Sequence, residues 1–111
     1  MRSPLPPELN RLTGKIVESA FQVHKAIGPG LLESVYETCF AAELRHQGMS
    51  FARQVPIGIH YRDVLMESGL RLDFLVEELV VVELKAVEVV LEVHEAQILS
   101  YMRLAHKPVG L

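Results

Sequence analysis

Asp73, and ten residues on Glu83-Leu84-Lys85 at the end of the apolar run Leu79-Val80-Val81-Val82, are the residues of this 111-residue chain whose types and spacing could do chemistry. An ionised side chain in a buried strand is costly unless it is paired, hydrogen-bonded or bound to a metal. Two carboxylates and a lysine in such a setting therefore point to a site. Side chains alternate faces along a strand, so Glu83 and Lys85 are expected to share one. On the preceding run, Leu70, Leu72, Phe74 and Val76 lie opposite Arg71 and Asp73, which puts Asp73 on the polar face.

If the two runs form a hairpin around Glu77-Glu78-Leu79, an odd loop sets Asp73 opposite Glu83 and Phe74 opposite Val82. A two-residue turn would instead pair Asp73 with Val82, and a one-residue slip turns every side chain to the wrong face. The pattern predicts a three- or five-residue loop, or a bulge. Opposed residues lie about 4.5 to 5.5 Å apart at Cβ, and two carboxylates at that range repel unless a cation lies between them. Mg²⁺ takes one or two carboxylates and keeps waters, leaving room for a phosphate oxygen. Lys85 would stand ready to orient or deprotonate a water, or to stabilise charge on a phosphorane. The plainer reading of the same residues is a solvated hairpin face with a cross-strand ion pair worth about 0 to 1 kcal/mol.

The elements that must position these residues follow from periodicity. After an extended lead-in through Pro4, Pro6 and Pro7, a helix is expected over about Glu8 to Ile27, with Leu12, Ile16, Ala20, Val23 and Ile27 as its buried stripe. Gly28-Pro29-Gly30 ends it as a tight corner. A second helix is expected from Leu31 to Gln47, carrying Leu32, Val35, Tyr36, Cys39, Phe40 and Leu44, with Gly48 as its C-terminal cap. Strands are expected at about Phe51 to Tyr61, Leu70 to Val76 and Leu79 to Val87, with Arg62-Asp63 and Glu67-Ser68-Gly69 as turns. A third helix is expected over Val93 to His106. Val109-Gly110-Leu111 reads as the start of a further strand that the chain does not complete, so either the natural chain is longer or a partner covers that sheet edge. The fold class is thus α/β, with helices against a mixed sheet.

Composition sets the outer bounds. The length suits a single domain with its own core, and 50% hydrophobic residues argue against disorder. No run approaches a membrane span, and the N-terminus lacks a signal-peptide apolar region, so a soluble cytoplasmic protein is expected. The single Cys39 excludes an intrachain disulfide and a thiolate metal cluster. The formal net charge of −3 argues against extensive phosphate neutralisation, except insofar as acids are metal ligands.

Gly30-Leu31-Leu32-Glu33-Ser34-Val35-Tyr36, preceded by Val23-His24 and followed by Asp73, Glu83-Leu84-Lys85 and Gln97-Ile98-Leu99-Ser100-Tyr101, resembles the GxxExxY proteins, a small bacterial family of the PD-(D/E)XK nuclease-like superfamily. The resemblance runs from about Asn10 to Leu111. It implies a restriction-endonuclease-like core: two N-terminal helices, a three-stranded antiparallel meander, a helix and a truncated last strand. It implies a Mg²⁺- or Mn²⁺-dependent hydrolase cutting nucleic acid, DNA in preference to RNA. Asp73 and Glu83 would be the metal pair, with Glu33 as the acidic residue of the first core helix. Lys85 would be the catalytic lysine, and Gln97 with Tyr101 a QxxxY motif whose glutamine organises the site.

Each supporting residue also has a plain structural reading. Glu33 suits the start of a helix by the dipole alone, and Tyr36 suits a core. His94, Gln97 and Tyr101 share one face of the third helix at i, i+3 and i+7, able to look toward the strand carboxylates. His94 and His24 could touch phosphate or metal, or simply hydrogen-bond. The alternative function is a non-catalytic nuclease-like module binding protein or nucleic acid, and a homo-oligomer or partner at the unfinished sheet edge fits either.

Overall fold

The computed structural model describes residues 6–85 and 92–111, apart from the side chain of Ser68. The chain forms two compact units, Met1–Gly48 and Met49–Leu111. The first holds α1 (Pro7–Ile27) and α2 (Glu33–His46), which pack together. Pro7 opens α1 at the position where its missing N–H costs nothing. The buried stripe of α1 is Thr13, Ile16, Ser19 and Val23, so the expected stripe is rotated: Ala20 faces out and Leu12 and Ile27 are half-buried. Two hydroxyls can occupy that stripe because each bonds its own helix. Thr13 Oγ1 donates to the Asn10 carbonyl at 3.0 Å and Ser19 Oγ to that of Lys15 at 2.8 Å.

The helix-to-helix corner explains the motif glycines. Gly28 and Gly30 adopt φ of +73° and +87°, a region open to glycine at little steric cost. The Tyr36 hydroxyl staples the corner, donating to the Gly28 carbonyl at 2.7 Å and accepting from the Leu31 N–H at 3.1 Å. Helix α2 begins at Glu33 rather than Leu31, and it buries Phe40, Ala41 and Leu44 while leaving Leu32 and Val35 exposed. Gly48, at φ +79°, ends it as expected, its N–H bonded to the Arg45 carbonyl.

The second unit is a four-stranded mixed sheet in the order β1-β2-β3-β4, with one helix. Strands β1 (Phe51–Tyr61), β2 (Val64–Val76) and β3 (Val80–Val82) run antiparallel, and β4 (Val109–Gly110) joins β3 in parallel after α3 (Glu92–Ala105). This is the expected α/β class and element order. The reading of Glu67-Ser68-Gly69 as a turn is corrected, because β2 passes straight through it. The register steps from Ile57↔Leu70 to Ile59↔Met66, so three residues of β2 face Gly58 alone in a bulge. Strand β3 is also shorter than expected: it ends at Val82, and the Ala86-Val87 end of the expected strand lies outside the described residues.

Beneath α3, the buried Leu72, Leu75 and Val81 pack with Val55, Ile57, Ile98, Tyr101 and Ala105. Phe74 is fully buried against Phe51, the rings 5.8 Å apart and tilted, with the Arg53 guanidinium 5.9 Å from its centroid. Leu72 and Leu75 meet in one cluster although they are three apart, which strict alternation along a strand would not allow. The irregularity sits at the residue between the pairs Arg53↔Phe74 and Val55↔Leu72: Gln54 has φ +50° and no ladder pair with Asp73.

Candidate functional site

The hairpin that sets the site closes as the alternation required. Phe74 pairs with Val82 and Val76 with Val80, leaving the three-residue loop Glu77-Glu78-Leu79. Glu77 and Glu78 both adopt positive φ, +52° and +59°. The Glu77 carboxylate holds the strained turn by accepting from Ser50 Oγ at 2.5 Å and the Ser50 N–H at 3.3 Å, while its own N–H donates to the Ser50 carbonyl.

One step beyond the last ladder pair, Asp73 and Glu83 clasp each other. The Asp73 N–H donates to Glu83 Oε1 at 3.2 Å, and the Leu84 N–H donates to Asp73 Oδ2 at 2.8 Å. The Glu83 N–H donates to the Leu111 carbonyl at 2.9 Å, and Leu111 donates back to Val81 at 2.8 Å. Glu83 is thus fixed from both neighbouring strands. Sequence reasoning missed these backbone donors, since any residue supplies an N–H and no side-chain pattern signals where it points.

Both carboxylates are half-buried. Burial pushes the Glu83 carboxyl up from 4.5 to about 7, and the Asp73 charge and a hydrogen bond between the two carboxyl groups push the same way. The Asp73 N–H and the Lys85 ammonium oppose the rise without cancelling it. Lys85 is exposed and lies past the end of β3, so strand alternation does not fix its direction; its charge nonetheless reaches Glu83.

On α3, Gln97 Nε2 donates to the Tyr101 hydroxyl at 2.7 Å, and the Tyr101 ring packs on the Leu72-Leu75-Val81 cluster. That bond anchors one end of the glutamine to the sheet's own core. His94, half-buried, lies one turn earlier. Glu33, exposed in the first turn of α2, His24, in the last turn of α1, and Tyr36 all belong to the helical unit. Asp73, Glu83, Lys85, Gln97, Tyr101 and His94 all belong to the sheet unit, where Asp73 and Glu83 are joined by hydrogen bonds and Gln97 is bonded to Tyr101.

Among the described residues, no group of three or more His, Cys, Asp or Glu side chains is gathered to hold a metal ion. The pair alone fits a hard divalent cation. It offers oxygen donors, its orientation is set by backbone amides, and its mutual repulsion is what a cation relieves. Mg²⁺ sites of this kind need only one or two protein carboxylates.

The profile of the PD-(D/E)XK nuclease superfamily matches residues 10–111, and the chain belongs to that superfamily. No curated protein and no solved structure shows a significant match. Membership carries the expectation of nuclease chemistry on a nucleic-acid substrate, and nucleases of this superfamily generally use divalent metal ions. Among the described residues no helix is long and apolar enough to cross a membrane.

Proposed function

We propose that this protein is a Mg²⁺- or Mn²⁺-dependent phosphodiesterase acting on nucleic acid, with DNA favoured over RNA. The observation that carries this reading is the reciprocal clasp of Asp73 and Glu83, two half-buried carboxylates held in register by backbone donors. A divalent ion bound there supplies Lewis-acid neutralisation of charge on the phosphate.

The chain's own residues do the rest. Asp73 and Glu83 would hold the ion as carboxylates, which requires Glu83 in its ionised form. Lys85, exposed beside the pair, orients the attacking water and offers a positive charge to the phosphate oxygens as charge builds on them. Gln97 is tethered at Nε2 by Tyr101, and its Oε1 would be the acceptor for a water or a substrate donor. The motif Gly30-x-x-Glu33-x-x-Tyr36 supports placing the chain with the bacterial GxxExxY proteins, and its tyrosine already has the stapling role described above.

The test is cleavage of labelled single- and double-stranded oligonucleotides in Mg²⁺ and in Mn²⁺, with chelator as control. Lys85→Ala is expected to lower the rate by about 10²- to 10⁴-fold with an unchanged circular dichroism spectrum. Undiminished cleavage by the variant would contradict the mechanism.

A further inference from the structure

Arg71 lies two residues before Asp73 on β2, about 7 Å along the strand. Its ladder is regular here: Leu70 pairs with Ile57, Arg71 with Pro56 and Leu72 with Val55. The positive φ nearby belongs to Gln54 on β1, so β2 itself keeps its alternation from Leu70 to Asp73. Burial follows that alternation. Leu72 is fully buried, whereas Arg71 is exposed and Asp73 half-buried, so the two charged residues share the open side of the strand.

The neighbouring positions leave the guanidinium to something outside the chain. Directly across, Pro56 carries neither charge nor N–H. Two residues back along β2, Gly69 has no side chain, and Ile59 fills the place where a Cβ would lie. Two residues on, the Asp73 carboxylate is turned toward β3, where its Oδ2 accepts from the Leu84 N–H at 2.8 Å. Of the three arginines between Phe51 and Val76, Arg53 lies against the Phe74 ring and Arg62 covers that of Tyr61. Among the described residues no hydrogen bond, ion pair or ring contact engages Arg71.

We infer that Arg71 is a substrate-binding residue of the Asp73–Glu83 site, its guanidinium taking the backbone phosphate next to the one at the carboxylate pair. The inference rests on the nuclease reading and adds a residue to it. In a chain of net charge −3, a polyanion drawn to two carboxylates needs a cation of the protein's own beside the metal ion. The planar guanidinium matches two phosphate oxygens at once. Its separation from Asp73 is comparable with that of successive phosphates on one strand. A contact of this kind fixes the register of the substrate and reads no base, so it acts on all sequences alike.

Fluorescence anisotropy of labelled oligonucleotides in Ca²⁺ over a salt series tests it, with cleavage in Mg²⁺ and Mn²⁺ calorimetry alongside. Arg71→Ala is expected to weaken binding about tenfold and to reduce the salt slope by about one. It should raise KM about tenfold with kcat little changed, and leave Mn²⁺ affinity and melting as in the wild type. Arg71→Lys, which keeps the charge and loses the fork, should recover part of the binding. Replacing one phosphate at a time by an uncharged methylphosphonate should reveal a single position that weakens the wild type and leaves Arg71→Ala indifferent. Cleavage by the wild type with no such position, or with affinity and slope unchanged in Arg71→Ala, would overturn the inference and leave the nuclease reading standing. Loss of Mn²⁺ binding or of melting temperature in both variants would overturn it in favour of a structural role. A wild type that neither binds nor cleaves nucleic acid would overturn both.

Discussion

At the scale of the residue, the informative group is Glu83, whose carboxyl the fold raises from 4.5 to about 7 through burial and the Asp73 charge. A carboxyl with a raised pKa favours the fold while protonated. That contribution is complete below about pH 4.5 and is lost as pH rises through about 7. Thermal melts in chelator should therefore show falling stability across this window, and Glu83→Gln should flatten the fall. Saturating Mg²⁺ should restore stability above pH 7, where Glu83 is ionised. A wild-type profile indifferent to both pH and Mg²⁺ would count against the site. Asp73 and Glu83 were legible in the sequence because carboxylates are anomalous in apolar strands. The amides that clasp them were not, since their donors belong to the backbone.

At the scale of the element, the loop Glu77-Glu78-Leu79 is what brings the two carboxylates together. Inserting one glycine after Glu78 should shift the β2–β3 register by one residue and abolish divalent-ion binding. Heteronuclear NMR would follow the shift through the Phe74 and Val82 amides. Helix α3 is tied to the same strands by close contact at Gly110, where a Cβ would lie 2.6 Å from Ile98 Cγ1 and 2.7 Å from Met102 Sδ. Gly110→Ala should cost about 1 to 3 kcal/mol by urea unfolding, because both side chains must move. The element order, the odd hairpin loop and the Gly48 cap could be read from pattern. The bulge at Glu67-Ser68-Gly69 could not, since Gly and Ser mark turns and bulges alike. The rotated stripe of α1 was hidden for a similar reason. Thr13 and Ser19 read as polar, yet each satisfies its hydroxyl within its own helix and so can be buried.

At the scale of the whole molecule, the chain divides into two compact units. Gly30 and Tyr36 build the corner of the helical unit, while Asp73 and Glu83 lie in the sheet unit. Tyr36→Phe should thus lower stability by about 1 to 2 kcal/mol, for two lost hydrogen bonds, and leave metal affinity unchanged. The net charge of −3 further predicts that binding to nucleic acid depends on the divalent ion more than on counterion release. Mobility shifts with Ca²⁺ should accordingly exceed those in chelator, and equal shifts would argue for a basic surface elsewhere. The superfamily was legible because its motifs fall in order along nearly the full chain.

The central claim is that Asp73 and Glu83 form a divalent-cation site, and Mn²⁺ titration calorimetry near pH 8 tests it most directly. The wild type should show one saturable site, with little proton release because Glu83 is already largely ionised above about 7, and Glu83→Gln should lose it. No binding by the wild type, or undiminished binding by the variant, would contradict the account.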